Sequence, residues 1–145
     1  MRRALELAAA AADRGEAPVG AVLFDPVAGE VAAQAANAPI ALNDPTAHAE
    51  ILALRAAGAA RGNYRLHGLW LYVTLEPCAM CAGAISHARI ARLIYGAEDP
   101  KGGAVAHGPC FFAQPTCHWR PEVSGGVLAA PSAALLRGFF RARRS

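Results

Sequence analysis

A strand–helix–strand segment in the middle of the chain most constrains how it can fold. The stretch LWLYVTL at residues 69–75 is almost wholly apolar and rich in β-forming residues, which is typical of a strand covered on both faces. The stretch CAMCAGAISHA then has helical composition, and IARLIYG at residues 90–96 has the pattern of another strand. We therefore expect a parallel strand pair joined by a right-handed crossover helix.

The N-terminal segments add a helix and a hairpin. The stretch MRRALELAAAAADRG predicts a helix that ends at Gly15, because its apolar residues recur at helical spacing. Residues 18–24 predict a strand, and residues 31–36 predict a weaker one after a turn that contains proline and glycine. A loop over residues 37–44 follows.

Two further helices complete the predicted layout. One covers residues 46–62, with Asp44 as a candidate cap and Pro45 at the first helical position. The last starts near Pro131 and runs into the terminal arginines. This order of elements indicates an α/β domain with a central, mixed sheet.

Composition limits the class of protein. With 145 residues, the chain is predicted to form a single domain over residues 1–145. Hydrophobic residues make up 54% and charged residues 17%, which excludes a disordered chain. No apolar run approaches the roughly 18 residues that span a bilayer. Since Glu6 interrupts the apolar part of the first helix, we expect no signal peptide and a cytoplasmic protein without membrane contact.

Two short motifs carry the candidate chemistry. His48 and Glu50 lie near the start of a predicted helix, and 26 residues separate Glu50 from Pro77, which precedes Cys78 and Cys81. Cysteines three apart in a first helical turn can point to one side, where the helix N-terminus favours thiolates. Two thiolates and an imidazole would leave one position of a tetrahedral zinc open to water, which is typical of a catalytic site. Glu50 is the candidate proton carrier.

Other interpretations of these residues stay open. Residues two apart on a helix lie about 200° apart, so His48 and Glu50 can share a site only if His48 lies at the helix mouth. The cysteine pair also suits a redox motif. A structural zinc site would need a fourth ligand, for which the candidates are Cys110, Cys117 and His118.

The motif set resembles a known family. The arrangement H-x-E, a gap of 26 residues and P-C-x-x-C is the signature of the zinc nucleobase deaminases. Longer stretches, APVGAVL, NDPTAHAEILALR, NYRL, LYVTLEPCAMCAGAI and FFRARR, are similar to those of the bacterial tRNA-specific adenosine deaminases. The resemblance implies a three-layer α/β/α fold with a five-stranded mixed sheet. It also implies hydrolysis of adenosine to inosine at the wobble position of a tRNA anticodon, one Zn²⁺ per subunit and a homodimer.

The resemblance also implies roles for particular residues. His48, Cys78 and Cys81 match the zinc ligands, and Glu50 matches the proton shuttle. The positions that match substrate-binding residues are Asn37 against the base, Val19, Leu75 and Pro77 on the pocket walls, Ala49 at its floor, and Asp99 and Lys101 at the RNA backbone. An asparagine before Pro39 is also typical of a turn, so Asn37 keeps that alternative.

Two other function classes remain candidates. A free-base deaminase acting on guanine or cytosine would share the zinc site but would need no basic rim, and a non-catalytic zinc-stabilised RNA-binding module would need no Glu50. Arg137, Arg141 and Arg144 share one face of the last helix, which is either solvated or in contact with the tRNA backbone. The remaining histidines are expected at the surface: His67, His87 and His107.

Overall fold

The computed structural model describes residues 1–144. Its helices are α1 (Arg2–Asp13), α2 (Pro39–Leu42), α3 (Ala49–Arg61), α4 (Ala79–His87) and α5 (Ala129–Arg144). Its strands are β1 (Gly20–Asp25), β2 (Glu30–Ala36), β3 (Trp70–Leu75), β4 (Arg92–Ala97) and β5 (Glu122–Ser124). Phe111–Ala113 form one 3₁₀ turn between β4 and β5.

The strands form one five-stranded mixed sheet in the order β2-β1-β3-β4-β5. β1 pairs antiparallel with both β2 and β3, whereas β3, β4 and β5 run parallel. The expected parallel pair with α4 between its strands is therefore confirmed, and so is the expected five-stranded mixed sheet.

Helices cover both faces of the sheet. Gly20 faces α1 so closely that a Cβ there would overlap the carbonyl oxygen of Ala4, which explains why this strand position has no side chain. The next residue along β1, Ala21, packs on the opposite face in a cluster with Ala53 of α3 and Ile85 of α4. α5 packs against β4 and α1, so the layers are α1 and α5, the sheet, and α3 and α4.

The mixed topology brings four strand ends to one edge of the sheet. β1 begins and β2 ends where β3 and β4 end, as the hydrogen bonds at this edge show. The N–H of Asn37, after β2, donates to the carbonyl of Val19, before β1, at 3.0 Å. The N–H of Glu76, after β3, donates to the carbonyl of Ala97 at 2.8 Å. α3 and α4 both start at this edge, which is where the candidate site lies.

The predicted start of the helix over residues 46–62, now α3, is wrong. α3 begins at Ala49, and Asp44 and Pro45 lie in a preceding turn. The Asp44 carboxylate accepts hydrogen bonds from the N–H and hydroxyl of Thr46 at 2.9 and 2.7 Å, so its capping capacity is used within that turn. The helix therefore starts only after His48.

One other detail differs from expectation, since the predicted loop over residues 37–44 contains the short helix α2. The last helix, α5, begins at Ala129, near the expected Pro131. On α1 the buried residues are Ala4, Ala8 and Ala11. None of the helices in residues 1–144 is long and apolar enough to cross a membrane.

Candidate active site

His48 and Glu50 reach one site because the helix begins between them. His48 is the N-cap of α3 with an extended backbone, φ −69° and ψ 150°. Glu50 lies in the first turn of the helix and is only 4% exposed. The separation of about 200° between residues two apart on a helix therefore does not apply to this pair. His48 precedes the helix, and only Glu50 lies within it.

Cys78 and Cys81 occupy the corresponding place on α4. Cys78 is its N-cap, again with an extended backbone, and Cys81 is buried in the first turn. Both sulfurs thus lie at a helix N-terminus, where backbone N–H groups favour negative charge.

The three side chains form one cluster with the spacing that zinc requires. The sulfurs of Cys78 and Cys81 lie 3.6 and 3.5 Å from Nδ1 of His48, and the three ligand atoms lie within 4.8 Å of one another. A tetrahedral zinc at about 2.3 Å from sulfur and 2.0–2.1 Å from nitrogen separates these atoms by about 3.5 Å. The residues present therefore fit a zinc ion.

The electrostatics of the cluster favour a thiolate on Cys78 and a protonated thiol on Cys81. The pKa of the Cys78 thiol is lowered to about 4, chiefly by a hydrogen bond from Cys81 and then by His48. The pKa of Cys81 is raised, because it donates to Cys78 and is buried. The hydrogen bond with Cys78 raises the pKa of His48. A thiolate on Cys78 is available as a ligand, and binding of an ion displaces the proton from Cys81.

The surroundings of Glu50 favour the protonated form of its carboxyl group. Burial is the main cause that raises the pKa of its carboxyl group, and the nearby Cys78 adds to the shift. A carboxyl group with a raised pKa can gain and lose a proton within one reaction, as general acid–base catalysis requires.

A pocket of about 250 Å³ opens beside the cluster and contacts several of the residues expected to bind substrate. Its lining includes His48, Glu50 and Cys78, together with the expected Asn37, Val19, Leu75 and Asp99. Asn37 is only 8% exposed and lines this pocket. A side-chain amide has an acceptor oxygen and a donor nitrogen, which suits a polar ligand in the pocket.

The other expected substrate-binding residues lie around the pocket rather than in its lining. Ala49 is fully buried behind it, and Pro77 is buried in the turn before Cys78. Lys101 is exposed and lines an adjoining pocket of about 520 Å³, which also includes Asp99, Leu136 and Phe140.

Sequence reasoning missed several residues at the site. Ala17, Glu76 and Gly102 also line the pocket. The expectation that His107 is a plain surface residue is wrong, because its Nδ1 lies 2.8 Å from Oε1 of the buried Glu76. The only sequence signal was a glutamate that directly follows a buried strand and precedes Pro77, and its partners lie more than twenty residues away.

The remaining cysteines take no part in the cluster. Cys117 is buried beside Ser86, and its thiol donates to the carbonyl of Trp119 at 3.1 Å. Cys110 precedes the 3₁₀ turn. Among residues 1–144 only His48, Cys78 and Cys81 come together as a candidate metal site, so a tetrahedral ion held there would keep one position open, as in catalytic zinc sites.

Comparison with known proteins agrees with this geometry. Residues 1–97 match the family model of the cytidine and deoxycytidylate deaminase zinc-binding region. A tRNA-specific adenosine deaminase of Agrobacterium fabrum is 56% identical over 144 residues, which cover 99% of this chain and 93% of the relative. The chain belongs to the tRNA-specific adenosine deaminases.

Solved structures extend the likeness to the whole fold. A tRNA:A34 deaminase that performs A-to-I editing at the wobble position of transfer RNA superposes with a TM-score of 0.91 at 55% identity, covering 94% of this chain and 97% of that one. A guanine deaminase from Nitrosomonas europaea has a TM-score of 0.81 at 25% identity, with 95% and 81% covered. The identity to these two tRNA-specific enzymes, 56% and 55%, is more than twice the identity to this guanine deaminase.

Proposed function

We propose that this chain hydrolyses adenosine to inosine at the wobble position of a tRNA anticodon. The observation that carries the proposal is the His48, Cys78 and Cys81 cluster with the buried Glu50 beside it, facing one pocket. Membership of the tRNA-specific adenosine deaminases supplies the substrate.

We propose one zinc ion per subunit, held by Nδ1 of His48 and the sulfurs of Cys78 and Cys81. When bound, such an ion supplies a water molecule that is acidic enough to act as a nucleophile near neutral pH. The spacing of the three ligand atoms and the low pKa of Cys78 support this assignment.

Glu50 moves the protons of the reaction. It accepts a proton from the attacking water and delivers it to the ring nitrogen next to the carbon under attack. It then assists the departing amino group, so that adenosine and water give inosine and ammonia. Its burial and raised pKa suit both the accepting and the donating role.

The pocket supports recognition of a single base. Its volume of about 250 Å³ lies below the range of about 300–1,000 Å³ for drug-sized ligands, so it suits a base rather than a whole nucleotide. The Asn37 amide offers a donor and an acceptor to a purine edge. Val19 and Leu75 supply apolar walls, above Ala49 and Pro77.

The rim of the pocket supports an RNA substrate. Asp99 and Lys101 lie on the loop after β4, and the adjoining pocket reaches α5 through Leu136 and Phe140. An unpaired anticodon base can be turned out of its stack at little cost. We infer that this loop meets the RNA backbone next to the target base.

The other two function classes have weaker support. A free-base deaminase uses the same site, but the chain is only 25% and 33% identical to the guanine deaminases of Nitrosomonas europaea and Bacillus subtilis, against 55% for the tRNA:A34 deaminase. A non-catalytic zinc module leaves the buried, proton-carrying Glu50 without a role.

We also propose a cytoplasmic homodimer. α3 and α4 carry an open, mostly apolar groove of about 760 Å³ whose lining includes Ile51, Leu54 and Ala84. A groove of this kind suits a second copy of the chain related by a two-fold axis. The four free cysteines suit a reducing compartment.

One assay tests the reaction directly. The purified, zinc-loaded protein is incubated in parallel with an anticodon stem-loop, adenosine, guanine and cytosine, and the products are separated by chromatography. We expect inosine in the stem-loop alone. Conversion of guanine or cytosine with none in the RNA would replace the proposal by the free-base alternative, and no product in any tube would favour the non-catalytic module.

A further inference from the structure

The segment at residues 98–107, here called the mouth loop, presents substrate-facing groups without regular structure of its own. It contains no helix or strand, yet Asp99 and Gly102 line the catalytic pocket and Lys101 lines the adjoining one. Within it the Asp99 carboxylate accepts hydrogen bonds from the N–H groups of Lys101 and Gly102 at 3.2 and 2.9 Å. These contacts hold only its first turn, so a support from outside is needed to fix the whole loop.

The buried carboxylate of Glu76 supplies that support. Its side chain is fully buried. Oε1 accepts the N–H of Asp99 at 3.1 Å and lies 2.8 Å from Nδ1 of His107. Oε2 accepts the N–H groups of Val105, Ala106 and His107 at 3.1, 3.0 and 3.2 Å. A carboxylate has about four acceptor sites, and here both ends of the mouth loop use them.

The loop is built closely around this carboxylate. A Cβ on Gly103 would come within 2.5 Å of Oε2 of Glu76, so the backbone passes too near for any other residue. The N–H of Ala104 donates to the carbonyl of Pro77 at 2.9 Å. Since Pro77 joins Glu76 to Cys78, the mouth loop is held by the same short segment that carries a cluster cysteine.

We propose that Glu76 is a positioning residue for the RNA substrate, which holds the mouth loop with Asp99 and Lys101 over the catalytic pocket. Glu76 does not touch the reacting atoms in this role. Because the substrate is the proposed anticodon, the role rests on the proposed function, and its loss should weaken substrate binding more than the chemical step.

The substitution Glu76→Gln tests this role with little change of shape. In either orientation the new NH₂ group faces at least one backbone N–H, so the amide cannot replace every hydrogen bond. Losing a hydrogen bond to a charged acceptor predicts a KM for the anticodon stem-loop that is higher by about tenfold, with kcat within about threefold. We expect unchanged zinc content and faster hydrogen exchange at the Asp99 amide.

Three controls separate positioning from general damage. Glu30→Gln makes the same change at an exposed position in β2 and should leave every readout at the wild-type value. His107→Ala removes one of the five contacts and keeps its N–H, so we expect a KM increase smaller than that of Glu76→Gln. In the wild type, the amides of Asp99, Val105, Ala106 and His107 should exchange slowly although they lie in a loop.

Several results would overturn the role. They are an unchanged KM in Glu76→Gln, a fall in kcat that merely follows lost zinc, or fast exchange of the four amides in the wild type. If Glu76→Gln does not fold, two other measurements test the role. They are the hydrogen exchange of the four amides in the wild type and the KM of His107→Ala for the anticodon stem-loop. Failure of the proposed function would be distinct, because the wild type would then form no inosine while the exchange pattern would still report on the loop.

Discussion

The extended backbone of His48 determines how a two-residue motif serves one site. Had the helix started at Pro45, as the sequence suggested, His48 and Glu50 would point to nearly opposite sides. Because His48 is the N-cap, its Nδ1 meets the cysteine sulfurs while Glu50 faces the pocket. The motif in the sequence identified His48 and Glu50 as site residues. The extended backbone that lets both face one site follows the turn formed by Asp44 and Thr46.

Replacing Glu50 by glutamine should separate catalysis from metal binding. Glu50→Gln keeps the side chain's shape but cannot carry a proton, so we expect kcat to fall by about 10²–10⁴-fold. Zinc measured by atomic emission should stay at the wild-type level, since Glu50 is not in the ligand cluster. Turnover at the wild-type rate would remove Glu50 from the mechanism.

The cysteines provide a matched test of the ligand set. Cys81→Ser should lose bound zinc and all inosine formation, because it removes a sulfur ligand that lies 3.5 Å from Nδ1 of His48. Cys110→Ser makes the same change outside the cluster and should retain both. A fully metalled Cys81→Ser protein would contradict the assignment.

At the level of elements, the four strands that show a pattern in the sequence, including the weaker β2, were predictable, whereas β5 and α2 were not. The buried strands β1, β3 and β4 lie within two residues of their predicted bounds, because their apolar runs reflect local burial. β5 is three exposed residues and has no such pattern. The short helix α2 depends on the buried Glu16, whose carboxylate accepts the N–H groups of Ile40 and Ala41 at 3.1 and 2.8 Å.

The same distinction applies to the candidate site. Its candidate metal ligands and Glu50 lie in two short motifs, and the spacing of the residues in these motifs predicts a zinc site. Two buried glutamates, Glu16 beside α2 and Glu76 beside the mouth loop, accept hydrogen bonds from backbone groups more than twenty residues away, so no local pattern could indicate their partners. Only the folded chain brings each carboxylate to the backbone that it holds.

The arginine face of α5 predicts a specific salt dependence. Arg137 and Arg141 are exposed, and α5 is fixed to the end of β3 by the hydroxyl of Ser132, which donates to the carbonyl of Thr74. If each arginine neutralises one RNA phosphate, Arg137→Ala or Arg141→Ala should reduce the slope of log K against log salt by about 0.7.

Arg92→Ala serves as the control for this measurement. Arg92 starts β4, at the opposite end of that strand from the site, so its loss should leave the slope unchanged. Equal slopes for all three variants, measured by fluorescence anisotropy with an anticodon stem-loop, would mean that the α5 arginines are only solvated.

At the scale of the whole molecule, the groove on α3 and α4 predicts an oligomeric state. Light scattering should give twice the 15.0 kDa mass of one chain. Ala59→Arg places a charge in the groove and should produce a monomer, because an unpaired charge is costly to bury. Ala60→Arg, also exposed on α3 but outside the groove, should remain a dimer. A monomeric wild type would refute the dimer.

Two kinds of backbone meet at the edge of the sheet where β3 and β4 end, namely helix starts and loop segments. Two helix starts carry the groups that we propose to activate water, whereas strand ends and the mouth loop carry the groups that we propose to contact the substrate. A substitution in the mouth loop can therefore change contacts with the substrate while the His48, Cys78 and Cys81 cluster keeps its geometry.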